Sequence, residues 1–371
     1  VQKNILLACL SAIVMMGSGV PAGGSVRIGA SSVPQCSLTG SFTPRGLVVV
    51  IPPAEGPGGS LDLKSLSNPF ISGVAVQMNW RDIEPAQGKP DWSNLDTLFA
   101  TAQSSGKWVQ LLIFPGFFSP AWALEGVQTD RFAIQYGPGK GTIANLPMPW
   151  DKVYLRRWFN FLKLLSGRYG TSPAFRMIAA DGPTSVSAEM TLPEKVKEWR
   201  ADSYTPEKYL EAWRDVFGEY ANDFPNQCVS LSAPGLPILA QGSHGPAAHM
   251  RAKQTIVEQA SGALGQRLVL QWSDLHAGHA AVEAPPGEFN FVTSYSGRII
   301  TGLQMRTSAE RDSAVMGAAG DPPLALRKSI DMGMQPNATG HYVNYLEIYE
   351  PDVLANRMQP VLKYAASLFG R

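Results

Sequence analysis

Apolar positions along the chain fall into two alternating patterns. Short β-branched or aliphatic runs occur at Gly46–Ile51, Gly73–Asn79, Trp108–Phe114, Phe175–Ala180, Cys228–Ala233, Arg267–Trp272, Ile299–Gln304 and Tyr342–Tyr349. Their length and composition suit strands buried on both faces. Between most of them the apolar spacing changes to 3.6, predicting helices over Leu95–Ser105, Tyr154–Tyr169, Pro206–Asp223, His249–Leu264 and Pro323–Met334, with a last helix over Leu354–Phe369. Thr205-Pro206-Glu207 places a capping hydroxyl before a proline in the first helical turn. The stretch 273–298 shows no clear helical period and reads as a short helix or an irregular loop.

Eight strand–helix units without a break in composition predict an α/β chain folded as a single (β/α)8 TIM barrel over residues 46–371. No GxGxxG follows a strand, and Gly137-Pro138-Gly139-Lys140 lacks the ending of a phosphate loop. Dinucleotide and nucleotide folds are therefore disfavoured, and no cofactor is expected.

Composition narrows the partners. The 371 residues are 44% hydrophobic and 16% charged, with a net charge of +1 and no cluster of Lys and Arg. That is a globular chain without the basic stripe a nucleic-acid surface needs. The start reads as an export signal: Lys3, then an apolar run from Ile5 to Met16, then small residues up to Ala22. Residues 1–22 are expected to be a signal peptide, the alternative being an uncleaved anchor. Residues 23–45 form a loose Gly/Ser/Pro-rich lead-in. The mature protein is then secreted or periplasmic, with no stable membrane insertion after signal cleavage; its oligomeric state is left open. Cys9 lies in the signal. Cys36 and Cys228 either pair or are two unrelated buried thiols.

In such a barrel the chemistry lies on the loops after the strands. After strand 2 come Asn79-Trp80-Arg81-Asp82-Ile83-Glu84-Pro85, then Gly88 and Asp91-Trp92; after strand 3 comes Phe114-Pro115-Gly116 with Ser119-Pro120-Ala121-Trp122. Leu146-Pro147-Met148-Pro149-Trp150-Asp151 precedes a helix ending in Arg168-Tyr169. These segments resemble clan A retaining glycoside hydrolases, closest to the β-galactosidase-like members of family 42 and their relatives. The likeness covers most of residues 46–371, with its specific motifs in the first half. It implies cleavage of a glycosidic bond by two carboxyl groups, one protonating the leaving oxygen and one attacking the anomeric carbon or activating water. It also implies an acid/base Glu after strand 4, directly behind an Asn, and a nucleophile Glu after strand 7.

The chain departs from that pattern twice. The strand-4 loop opens with Asp181, and its glutamate, Glu189, comes eight residues later without the Asn. Strand 7 ends in Gln304, an amide that cannot be the nucleophile. Glu189 is the candidate acid. Glu347 is the candidate second carboxylate, since Val343, Tyr345, Glu347 and Tyr349 alternate to one face of strand 8. The competing reading makes Glu347 a buried structural group.

Trp80, Trp122, Trp150 and Trp272 are candidate platforms for sugar rings, and Asp181, Gln304, Tyr345 and Tyr349 candidate polar contacts; core packing is the alternative for the tryptophans. Arg81 and Glu84 are expected to form an ion pair bracing the strand-2 loop, the alternative being contact with substrate. His276 and His279 have H-x-x-H spacing without a helical Glu, so no metal site is expected. Asn337-Ala338-Thr339 matches a glycosylation sequon. The leading function is a secreted glycoside hydrolase with a carbohydrate substrate, the alternative an inactive barrel that binds carbohydrate.

Overall fold

The computed structural model describes residues 34–54, 58–134, 139–182, 184–185, 190, 192–193, 199, 201–232, 246–279 and 287–370. Eight parallel strands close into a barrel: β1 (Gly46–Ile51), β2 (Gly73–Asn79), β3 (Trp108–Phe114), β4 (Phe175–Ala179), β5 (Cys228–Ser232), β6 (Leu268–Leu275), β7 (Ile300–Met305) and β8 (Tyr345–Tyr349), with β8 pairing back onto β1. Every residue of β1 and β3 is buried, as strands enclosed by side chains on one face and helices on the other require.

Around the strands run α1 (Ser93–Ser104), α2 (Lys152–Tyr169), α3 (Pro206–Asp223), α4 (Pro246–Leu264), α5 (Glu288–Thr293), α6 (Pro322–Gly333) and α7 (Gln359–Leu368). Their starts are capped as local chemistry dictates. Asp151 accepts from the Val153 and Tyr154 amides ahead of α2, Thr205 from Lys208 N ahead of α3, and Asp321 from Leu324 N ahead of α6. Three features differ from the expected pattern. The β1–β2 crossover is a 3-10 turn, Lys64–Ser67, in place of a helix. An antiparallel hairpin, Thr129–Ala133 with Ile143–Pro147, is inserted before α2. The final helix begins at Gln359 rather than Leu354, because Pro360 suits only a first turn and the chain between runs through short turns. No described helix is long and apolar enough to cross a membrane.

The floor of the barrel is aromatic. The Trp108 ring lies over Gly73 and the Tyr345 ring over Gly302; a Cβ on either glycine would come within 2.4 Å or 2.0 Å of ring atoms, so neither site admits a side chain. At the same end a disulfide joins Cys36 of the lead-in to Cys228, the first residue of β5, and the Cys36 amide donates to Asn226 O at 2.8 Å. Of the two readings of these cysteines, the paired one holds.

Candidate functional site

Above the aromatic floor, polar side chains interrupt the apolar strands on their inner face. In β8 the sequence Tyr-Leu-Glu-Ile-Tyr turns Glu347 inward, level with Gln304 on β7 and Val48 on β1. Its carboxyl group is fully buried. Oε2 accepts from Gln304 Nε2 at 2.7 Å and Gln271 Nε2 at 3.0 Å, whereas Oε1 has no hydrogen bond of normal geometry among the described residues, although the Gln110 amide is close enough to help lower the carboxyl's pKa. Tyr345 OH donates to Gln271 Oε1 at 2.8 Å, which fixes that amide with its nitrogen towards the carboxylate. Gln110 Nε2 reaches Ser230 Oγ and Gln271 Oε1, each at 3.4 Å. Burial pushes the Glu347 pKa up to about 7, against the opposing pull of the glutamine amides. A carboxyl group poised near neutrality, with one oxygen outside any normal hydrogen bond, can give or take a proton without a large energetic cost.

A second buried carboxyl stands just past β4. Asp181 is fully enclosed, and neither of its oxygens has a partner among the described residues. Burial raises its pKa well above the ordinary value, which favours the protonated form. Its backbone is held on both sides: Trp158 Nε1 donates to Asp181 O at 2.9 Å, and Asp181 N to Tyr220 OH at 3.0 Å. The loops after β3 and β4 meet here. Phe117 N donates to Ser185 O at 3.0 Å, and a Cβ on Gly116, which has φ +61°, would strike Ser185 O at 2.3 Å. Met190 is fully buried, and its amide donates to Ser232 O at the top of β5 at 3.2 Å. Glu189 itself lies outside the described residues.

Of the other expected contact residues, Gln304 and Tyr349 stand near Glu347: Tyr349 is half-buried, with its hydroxyl 3.5 Å from Gln304 Oε1. Tyr345 does not face a sugar; it is fully buried in the floor. Trp80 is also corrected. It is fully buried among Trp122, Tyr154, Trp158 and Phe161, and its Nε1 donates to Glu84 Oε2 at 2.9 Å. A ring enclosed on every side offers no face to a ligand. Trp272 alternates away from Gln271 and packs edge-on against Phe289 of α5, on the helical side of the barrel wall. Trp122 and Trp150 are half-buried, and Trp150 lies 5.0 Å below Lys208 Nζ and beside Tyr204.

The expected Arg81–Glu84 pair does not form. Arg81 lies over the Phe118 ring and 3.9 Å from Asp82, while Glu84 is buried and takes the Gly88 amide at 2.7 Å. His276 Nδ1 lies 3.0 Å from Val315 O, the His279 side chain is outside the described set, and no described group of three or more His, Cys, Asp or Glu could hold a metal. Asn337 Nδ2 donates to Thr293 O and Ser296 O, so the sequon amide is already committed to the fold.

Gln110, Ser230 and Gln271 were not singled out as site residues from the sequence. For Gln110 the signal is a single polar residue on the inward register of an otherwise apolar strand, Trp-Val-Gln-Leu-Leu-Ile-Phe.

No protein-family model matches the chain, and no curated protein matches it. Solved structures share its architecture. The catalytic domain of beta-amylase from Paenibacillus polymyxa superposes with a TM-score of 0.54 at 8% identity, covering 88% of this chain and 99% of that one. A polyextremophilic beta-galactosidase from the Antarctic haloarchaeon Halorubrum lacusprofundi superposes with a TM-score of 0.51 at 12% identity, covering 88% of this chain and 58% of that longer one. At such identities the likeness is one of fold: a single (β/α)8 barrel.

Proposed function

We propose that this protein is an exported glycoside hydrolase acting on an oligo- or polysaccharide. The observation that carries the reading is Glu347, an enclosed carboxyl with a pKa near 7 and one oxygen without a normal hydrogen bond, in a barrel of the kind that beta-amylase and beta-galactosidase also use. Glu189 is assigned the general acid that protonates the leaving oxygen, and Glu347 the nucleophile or base. The role of Glu189 rests on its place in the sequence after β4, where the resemblance puts the acid. Gln304 would take a substrate hydroxyl, and Trp122 and Trp150 would stack on sugar rings. The Cys36–Cys228 bridge supports export, because disulfides persist in oxidising compartments.

The test is turnover by Glu189→Gln and Glu347→Gln variants on a glycan that the natural chain cleaves. Loss of about 10²–10⁴-fold in kcat with binding retained supports the assignment. Unchanged kcat in either variant removes that residue from the mechanism.

A second reading, a barrel that binds carbohydrate without cleaving it, is favoured by two observations. Gln304 stands at the upper end of β7, and Glu347 is fully covered, so a sugar reaches it only after its surroundings shift. Tight glycan binding by the natural chain with no products after prolonged incubation would decide for this reading.

A further inference from the structure

A separate cavity of about 250 Å³ opens at the C-terminal end of β2, between the loop after β1 and the start of α1. Its described lining includes Met78, Asn79, Asp82, Asp91, Ser93 and Thr97. Asn79 is nine-tenths buried, at 7% exposure, and lies on the inward register of β2. Its Nδ2 donates to Asp82 Oδ2 at 2.7 Å. Because a carboxylate only accepts, that bond fixes the amide's orientation and leaves Oδ1 as an acceptor with no protein partner. A buried amide oxygen without a donor costs free energy, and because Asn79 lines the cavity, a ligand hydroxyl that reaches this oxygen would return it.

The rest of the wall has the same preference. Asp82 and Asp91 accept, and so do the hydroxyl oxygens of Thr97, whose proton goes to Ser93 O at 2.9 Å, and of Ser93, whose proton goes to Asp91. Ser93 hydrogen bonds hold the Asp91 carboxyl below its ordinary range, so it stays ionised. No Lys, Arg or His lines the cavity among the described residues. Such a wall welcomes a ligand rich in hydroxyl donors and repels an anion.

We propose that this pocket is a second saccharide subsite, selective for a neutral sugar ring over a uronic acid. The proposal rests on the carbohydrate reading above and deepens it. The pocket lies at the rim rather than beside Glu347. Tyr349 is level with Val50 and Val50 with Ala75, so Asn79 stands four residues further along, about 13 Å up the barrel wall. A ring held here is therefore a different unit from one engaged near Tyr349, and the glycan is an oligomer running across the β1–β2 side of the mouth.

The experiment is isothermal titration of the full exported protein with cellopentaose, xylopentaose, β-1,4-galactopentaose and pentagalacturonate. It is repeated on Thr97→Trp, which fills the cavity from the exposed face of α1, and Asn79→Leu, which removes the unpartnered acceptor; thermal midpoints report on folding. The expected result is binding of at least one neutral pentasaccharide in preference to pentagalacturonate, weakened about ten-fold or more by Thr97→Trp at an unchanged midpoint. Equal affinity in Thr97→Trp overturns the subsite and leaves the carbohydrate reading standing. Preference for pentagalacturonate overturns the charge selection and with it the proposal. If none of the four binds the natural chain, the subsite and the carbohydrate reading fall together. Should Thr97→Trp fail to fold, Asn79→Leu carries the same comparison.

Discussion

Gln304 Nε2 donates to Glu347 Oε2 at 2.7 Å across the seam between β7 and β8, at matched register positions. The amide therefore serves the carboxylate, and replacing it leaves a buried acceptor short of one donor. A Gln304→Leu variant is expected to lose about 1–3 kcal/mol of stability, read from its denaturant midpoint. A Gln304→Glu variant puts a second carboxyl in the same contact. Its loss of stability relative to the natural chain should grow as pH rises from 5 to 8, because two adjacent carboxylates cannot both ionise cheaply.

The raised pKa of Glu347 has its own signature. The folded chain keeps this proton up to about pH 7, whereas an unfolded glutamate releases it near 4.5. Stability from this group is thus fully present below about pH 4.5 and is lost as pH rises towards 7. The loss amounts to about 3 kcal/mol. Glu347→Gln abolishes it, so the natural chain should weaken relative to the variant between pH 4.5 and 7.5. Parallel stability–pH curves for the two would show that Glu347 has an ordinary pKa.

The disulfide closes a loop between residues 192 apart in sequence. On the chain-entropy account such a closure is worth about 5 kcal/mol, through restriction of the unfolded chain. Cys36→Ser combined with Cys228→Ser should lower the unfolding free energy by an amount of that order. A change below about 1 kcal/mol would mean that the unfolded chain is already constrained there.

Trp80 and Trp122 should separate in mutagenesis, although they touch at 5.5 Å. Trp80→Ala empties a fully enclosed site and should cost about 3–5 kcal/mol. Trp122 is half-buried, so Trp122→Ala should cost less stability and weaken glycan binding more. Equal losses of stability would show that both rings only pack.

Expression in a glycosylating host checks Asn337. Its amide nitrogen makes two backbone hydrogen bonds, so the folded chain should carry no glycan at that position. Treatment with an endoglycosidase should leave the mass of the Asn337 peptide unchanged.

The barrel was legible because its evidence is local and repeated. Each β-branched run bounded by turns had to be a strand, each 3.6-spaced run a helix, and eight alternations leave few ways to bury every apolar face. Strand starts such as Gly46, Gly73 and Trp108 agree with the structure to the residue, as does the helix Pro206–Asp223. The inward face of strand 8 was also readable, since a strand's alternation depends on nothing outside it.

What no local pattern could decide was which side chains meet. Trp80 follows a strand as a ligand platform would, yet its ring turns under the loop because α2 presents Trp158 and Phe161 there. Trp272 and Gln271 are neighbours in sequence, but a strand sends them to opposite sides of the wall. Glu347 is poised near neutrality by Gln271 and Gln304, residues 76 and 43 positions away, and by burial that exists only once the barrel has closed. Periodicity is a property of neighbouring residues and was set by the sequence alone. Desolvation and hydrogen bonding at the site are properties of chain segments far apart, and only the closed tertiary structure brought them together.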